Sequence, residues 1–181
     1  MGVRSRAPWA WLGRSDNYLK YMQVGWLKYP SAFKANNVPN PNLPHYFFQY
    51  CCGGNWYTTV NQNSPAELSS HTYQLFLEGD YQYGTWKVTW DGNLIDSLPT
   101  SRLNWKIPTY IGYMGEIYDD NAQCPGSTAN KVQFSNVFYY SRSTGSWKQP
   151  SLNTWWSQSP CTLDNSSWSN YGYFRIWDNR Y

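Results

Sequence analysis

An all-β fold, an antiparallel β-sandwich or jelly roll, is what this sequence predicts, and three observations carry the prediction. Apolar and polar residues alternate with period two in many short runs, as they do when successive side chains point to opposite faces of a strand. Gly, Pro, Asn and Asp clusters separate those runs. Helix-period segments are missing between them, so about ten short strands in a chain of 181 residues have to pack as two antiparallel sheets.

The elements follow in order. Ala7 to Gly13 (APWAWLG) and Tyr18 to Lys28 read as the first two strands, joined by RSDN, which has hairpin chemistry. In the second of these, Tyr18, Met22, Val24 and Trp26 share one face, while Leu19, Tyr21, Gln23, Gly25 and Leu27 share the other. Pro30 to Pro44 carries four prolines and reads as a long irregular loop. His45 to Cys51 alternates again, and CCGGN ends it. His71 to Gly79 and Thr85 to Asp91 follow, with Trp86, Val88 and Trp90 opposite Lys87 and Thr89. Asp91-Gly92 is a strong hairpin signal leading into Asn93 to Leu98. Ile111 to Asp119, Lys131 to Ser141 and Tyr171 to Trp177 complete the set. The chain is expected to be one domain over 1–181, loop-rich from about 141, because 181 residues suit one core and not two.

Aromatic residues make up 20% of the chain and charged residues only 14%. So many large apolar groups argue against disorder, and Trp and Tyr favour pleated surfaces that meet a polar partner on one side. The net charge of +3 comes from scattered Lys and Arg, which supply no continuous basic groove, so nucleic acid is not an expected partner. No apolar run approaches the ~20 residues of a membrane-spanning helix, and a membrane is not expected either. The residues MGVRSRAPWAWLGRS hold no apolar signal-peptide core.

Four cysteines allow three pairings. Neighbouring strand residues point oppositely, so Cys51 and Cys52 are expected to reach Cys124 and Cys161 rather than each other. Without a CxxC pair or matching histidine spacing a zinc site is not expected, and disulfides favour a secreted, extracellular protein. No metal and no other cofactor are expected.

The scarcity of acids narrows the chemistry. Neither His45 nor His71 is accompanied by a Gly-x-Ser-x-Gly elbow, so both read as structural or surface histidines. Glu67, Glu78 and Asp80 fall in or beside loops. Asp119, Asp120 and Asn121 lack an ordered calcium-ligand pattern. Glu116 is different, because it sits mid-strand and shares a face with Met114 and Tyr118, where desolvation would raise its pKa and keep a proton available. A glycosidase needs two facing carboxylates, and Glu116 and Asp119 are three apart, which points them oppositely on a regular strand.

Gln23-Val24-Gly25-Trp26, then His45-Tyr46-Phe47-Phe48-Gln49-Tyr50, then Gly84-Thr85-Trp86-Lys87-Val88 with its Asp91-Gly92 hairpin, then Gly115-Glu116-Ile117, then Lys131-Val132-Gln133-Phe134-Ser135-Asn136-Val137 form an ordered set. This order resembles the glutamic peptidases (eqolisins), with related bacterial secreted proteins and, more distantly, the neprosin group, over about residues 7 to 140. The resemblance implies a concanavalin A-like jelly roll in which a Gln and a Glu project into one groove. It implies that Gln23 and Glu116 are catalytic, the carboxyl serving as general acid and then base for a water and the amide stabilising the oxyanion. Tyr21, Trp26, Gln49, Trp86, Trp90 and Tyr118 are the expected substrate-binding residues for a polypeptide, handled by a monomer. The Trp following the catalytic Glu in family peptidases is replaced here by Ile117 and Tyr118. The alternative is a carbohydrate-binding module whose platform is Trp26, Trp86 and Trp90, with Gln23 and Gln49 bonding the hydroxyls of a polysaccharide.

Overall fold

The computed structural model describes residues 6–14, 17–27, 43–52, 54–60, 64–65, 69–105, 107–117, 124–141, 143–151, 157, 159–171 and 173–181. The expected loop from Pro30 lies almost wholly outside these residues, as do Tyr118, Asp119 and Asp120. The chain divides into two compact units, 1–122 and 123–181.

In the first unit, β1 (Arg6–Arg14), β2 (Asn17–Leu27), β3 (His45–Cys52), β4 (Trp56–Val60) and β8 (Tyr110–Ile117) make a five-stranded sheet in the order β4-β3-β2-β1-β8. All four pairings are antiparallel. A second antiparallel sheet holds β5 (Tyr73–Glu78), β6 (Thr85–Trp90) and β7 (Asn93–Pro99), with β6 central. Alternation decides how the two meet. Met22 and Val24 of β2 and Phe48 of β3 are buried with Trp86 and Val88 of β6, Leu98 of β7, and Leu103 and Trp105, forming one apolar core. This is the antiparallel β-sandwich that the sequence predicts.

Local chemistry fixes the turns. Asp91 and Gly92 both have positive φ, 46° and 79°, which is the conformation a two-residue hairpin between right-twisted strands requires. Trp90 and Asn93 therefore pair directly across it. At the β5–β6 turn a Cβ on Gly84 would come within 2.4 Å of the Asp80 carbonyl oxygen, so a side chain there would force the backbone to move.

Strand β4 is absent from the sequence reading. Its residues, WYTTV, follow the CCGGN turn directly, and Gly54 takes a φ of 106° within it. An edge strand is held by backbone pairing to one neighbour, and Trp56 through Thr59 are all exposed, so no burial pattern announces it.

The second unit contains β9 (Val132–Phe134), β10 (Tyr139–Ser141), β11 (Ser146–Lys148), β12 (Cys161–Asp164), α1 (Trp168–Tyr171) and β13 (Phe174–Asp178). Strands β12, β13 and β9 form one antiparallel sheet, and β10 and β11 a hairpin. The expected strand from Lys131 to Ser141 is broken at Asn136, whose φ of 54° ends pairing. Two of the elements lie within the stretch expected to be loop-rich, β11 and β12, and α1 adds a helical turn.

The disulfide expectation is corrected here. Cys124 bonds Cys161, with Cα atoms 5.6 Å apart, while Cys51 and Cys52 are free thiols on β3. Cys51 is completely buried and Cys52 half-buried, so Cys51 behaves as a small buried apolar residue.

Candidate functional site

Register across the five-stranded sheet places the candidate residues. Gln23 of β2 is opposite Gln49 of β3 and Trp11 of β1; Gln49 is opposite Thr58 of β4, and Trp11 is opposite Gly112 of β8. Directly opposed residues share a sheet face, so one row crosses all five strands on the side away from Met22, Val24 and Phe48. Gln23 is polar because it does not face the core.

The row is hydrogen-bonded. Gln49 Oε1 accepts from Tyr21 Oη at 2.9 Å and from Gln23 Nε2 at 2.8 Å, and Gln49 Nε2 donates to Thr58 Oγ1 at 2.8 Å. Two donors converging on one oxygen orient the Gln49 amide, and the same bond orients Gln23. The second N–H and the carbonyl oxygen of Gln23 remain as further donor and acceptor. Around this network, Phe47 and Cys51 of β3 and Gly25 of β2 are buried. Polar groups half-buried among apolar ones interact more strongly than they would in water.

Glu116 is opposite Ala7, and register gives it the same face as Gly112 and hence Gln23. It stands four residues farther along β8 than the point where the Gln23 row crosses. Four residue rises and two interstrand steps put the two Cα atoms about 17 Å apart on a flat sheet. Gln23 and Glu116 thus share a face without sharing a row.

Among solved structures, the chain is similar to aspergilloglutamic peptidase from Aspergillus niger, with a TM-score of 0.50 and 15% identity over 97% of this chain and 99% of that one. This chain has the fold of a glutamic peptidase. No family model and no curated protein matches it.

Within the glutamic-peptidase fold, the expected substrate-binding residues separate into two groups. Tyr21 and Gln49 belong to the Gln23 network. Trp86 does not: it is 4% exposed, part of the apolar core, and its indole nitrogen has no hydrogen-bond partner among the described residues. Trp90 stacks on buried Tyr46 with ring centroids 3.5 Å apart, and Trp26 is opposite Tyr46 in register. Both tryptophans are half-buried on the core side of their sheets. The expected platform of Trp26, Trp86 and Trp90 is therefore corrected, because alternation turns all three inward. Tyr118 lies outside the described residues.

Two groups of polar residues escaped the sequence reading. Thr58 joins the Gln49 network from the overlooked strand β4. His71, expected to be structural or on the surface, contacts Ser69 through Nε2 and Asp91 through Nδ1, the latter at 2.7 Å. The residues around His71, just before β5, could not announce Asp91, which strand pairing brings back from twenty residues away.

Proposed function

We propose that this protein is an acid endopeptidase of the glutamic type, secreted, which uses Gln23 and Glu116 to activate water against a peptide bond. The observation that carries the reading is the placement of both residues on the non-core face of one sheet in a chain with a glutamic peptidase's fold. The neighbouring structure is named a peptidase, which supports a polypeptide as the substrate class. The Cys124–Cys161 disulfide supports an extracellular location. The described residues contain no helix long and apolar enough to cross a membrane.

In this mechanism the Glu116 carboxyl acts first as general acid, giving its proton to the scissile peptide, and then as general base, taking one from the attacking water. The Gln23 amide, oriented by Gln49, donates to the oxygen that becomes negative, which a neutral amide does without competing for protons. Both groups must reach one scissile bond, so the reading requires the sheet face between β2 and β8 to curl inward on substrate. Tyr21, Gln49 and Thr58 then form the floor of the amide's side of the site.

Cleavage of a denatured protein from about pH 2 to 8, which brackets ordinary and desolvation-raised Glu pKa values, tests the proposal. Wild type should cleave on the acid side and Glu116→Gln should not. A Glu116→Gln variant with full activity would contradict it.

A further inference from the structure

Ser69, His71 and Asp91 form a continuous hydrogen-bonded chain at the end of the other sheet of the first unit, before β5 and in the β6–β7 turn. Ser69 Oγ meets His71 Nε2. His71 Nδ1 meets Asp91 Oδ2 at 2.7 Å. The Tyr46 hydroxyl and the Trp90 indole nitrogen each lie 3.2 Å from the same Nδ1. The Trp90 N–H can only donate and also serves the Asp91 carboxylate; with that carboxylate making the shortest contact to Nδ1, we assign the Nδ1 proton to the bond with Asp91. Nε2 is then left with its lone pair toward the Ser69 hydroxyl. That is the tautomer a general base needs.

The carboxylate is itself held in place. Asp91 Oδ1 accepts from the Thr72 amide at 2.7 Å, and the Asp91 amide donates to the Thr72 carbonyl at 2.9 Å. Burial pushes the Asp91 carboxyl up, but the bonds from His71 and the Thr72 amide outweigh it and leave the group ionised below the usual carboxylate range. The ring of His71 is edge-on to Tyr46 and Trp90, which limits its rotation. Its side chain is 16% exposed and Ser69 is exposed, so an electrophile in solvent can reach the hydroxyl.

From this geometry we infer that Ser69, His71 and Asp91 constitute a second reactive site, distinct from the Gln23 face, in which Ser69 is the nucleophile toward carboxylic esters. Ser69 Oγ forms a bond to the carbonyl carbon while its proton passes to His71 Nε2. The C–O bond to the alcohol breaks, and that alcohol leaves with the same proton. A water then gives a proton to Nε2 and attacks the acyl carbon, the acyl–Oγ bond breaks, and Nε2 returns that proton to Ser69 Oγ as the carboxylic acid leaves. Ser69 and His71 are catalytic residues here, and Asp91 positions the imidazole. Esters with small acyl groups and good leaving groups are the substrate class, since they demand the least of a binding pocket.

The test uses the full chain with a fluorophosphonate probe and p-nitrophenyl acetate. Mass mapping should place a single stoichiometric phosphonyl label on Ser69, and ester turnover should fall at least about 100-fold in Ser69→Ala, a small change at an exposed position. Asp91→Asn keeps a residue suited to the positive φ of the hairpin while reversing the imidazole tautomer, so kcat should fall by a similar factor with KM unchanged. Glu116→Gln should label like wild type, which separates this site from the proposed peptidase. Wild-type protein that takes no label at Ser69, or ester turnover that survives Ser69→Ala, would overturn the inference.

Discussion

The two faces of β2 differ in what their neighbours demand. On one face, Met22 and Val24 are completely buried against Phe48, Trp86 and Val88, and these two positions answer to packing. On the other, Tyr21 and Gln23 are half-buried and bonded through Gln49 to Thr58. Residues adjacent in sequence therefore do unrelated work. A change on the first face should cost stability and leave the chemistry of the folded molecule alone; a change on the second should do the reverse.

The largest effect is expected from Phe48→Ala. Phe48 is 1% exposed, and truncating a buried Phe costs about 3–5 kcal/mol. Denaturant unfolding should show the midpoint falling sharply, and an unchanged midpoint would break the assignment of this face to the core.

Loss of the Cys124–Cys161 bond comes next. A bond closing a separation of 37 residues stabilises by about 2–4 kcal/mol, so Cys161→Ser should lower the thermal midpoint by several degrees. Thiol counting on the unfolded wild type should find two free cysteines, Cys51 and Cys52.

Acid tolerance sharpens the comparison, because the proposed chemistry operates where carboxylates titrate. Asp178 is completely buried; its bonds from the Arg180 side chain and from the Arg180 and Cys124 amides hold its pKa down to about 2. A depressed folded-state value means this contribution is fully present above the unfolded value of 3.8 and is lost as pH falls toward 2. A thermal melt should therefore hold its midpoint down to about pH 4 and lose ground below it, with Asp178→Asn flattening that part of the profile.

A smaller effect is expected from Trp86→Phe. Its indole nitrogen bonds nothing among the described residues, so the loss is one of packed volume alone; the smaller ring should cost about 1–3 kcal/mol and leave cleavage unchanged. Lost cleavage with intact stability would return Trp86 to the substrate-binding residues.

Particular residues show what was legible in the sequence. Strict alternation in β2 and β6 revealed the sandwich, and Asp91-Gly92 revealed its hairpin, since both signals are local. Strand β4 was hidden because an exposed edge strand needs no apolar face. Alternation showed that Trp26, Trp86 and Trp90 each share a face with other apolar residues. It could not show which face packs, because that depends on how two sheets meet. Gln23 and Gln49 could be singled out as amides in apolar strands, but their hydrogen bond follows from the β2–β3 register. The disulfide pairing and the Ser69-His71-Asp91 chain were out of reach for the same reason, being set by contacts distant in sequence.

The most direct measurement is cleavage and thermal stability of Gln23→Ala beside wild type. Removing this side chain forfeits one hydrogen bond to Gln49, which still accepts from Tyr21, so the stability cost should be about 0.5–1.5 kcal/mol. Acid cleavage should fall at least about 100-fold, the scale of losing an oxyanion donor. A variant that cleaves like wild type would show that Gln23 only braces Gln49, and that the non-core face of this sheet is not the active one.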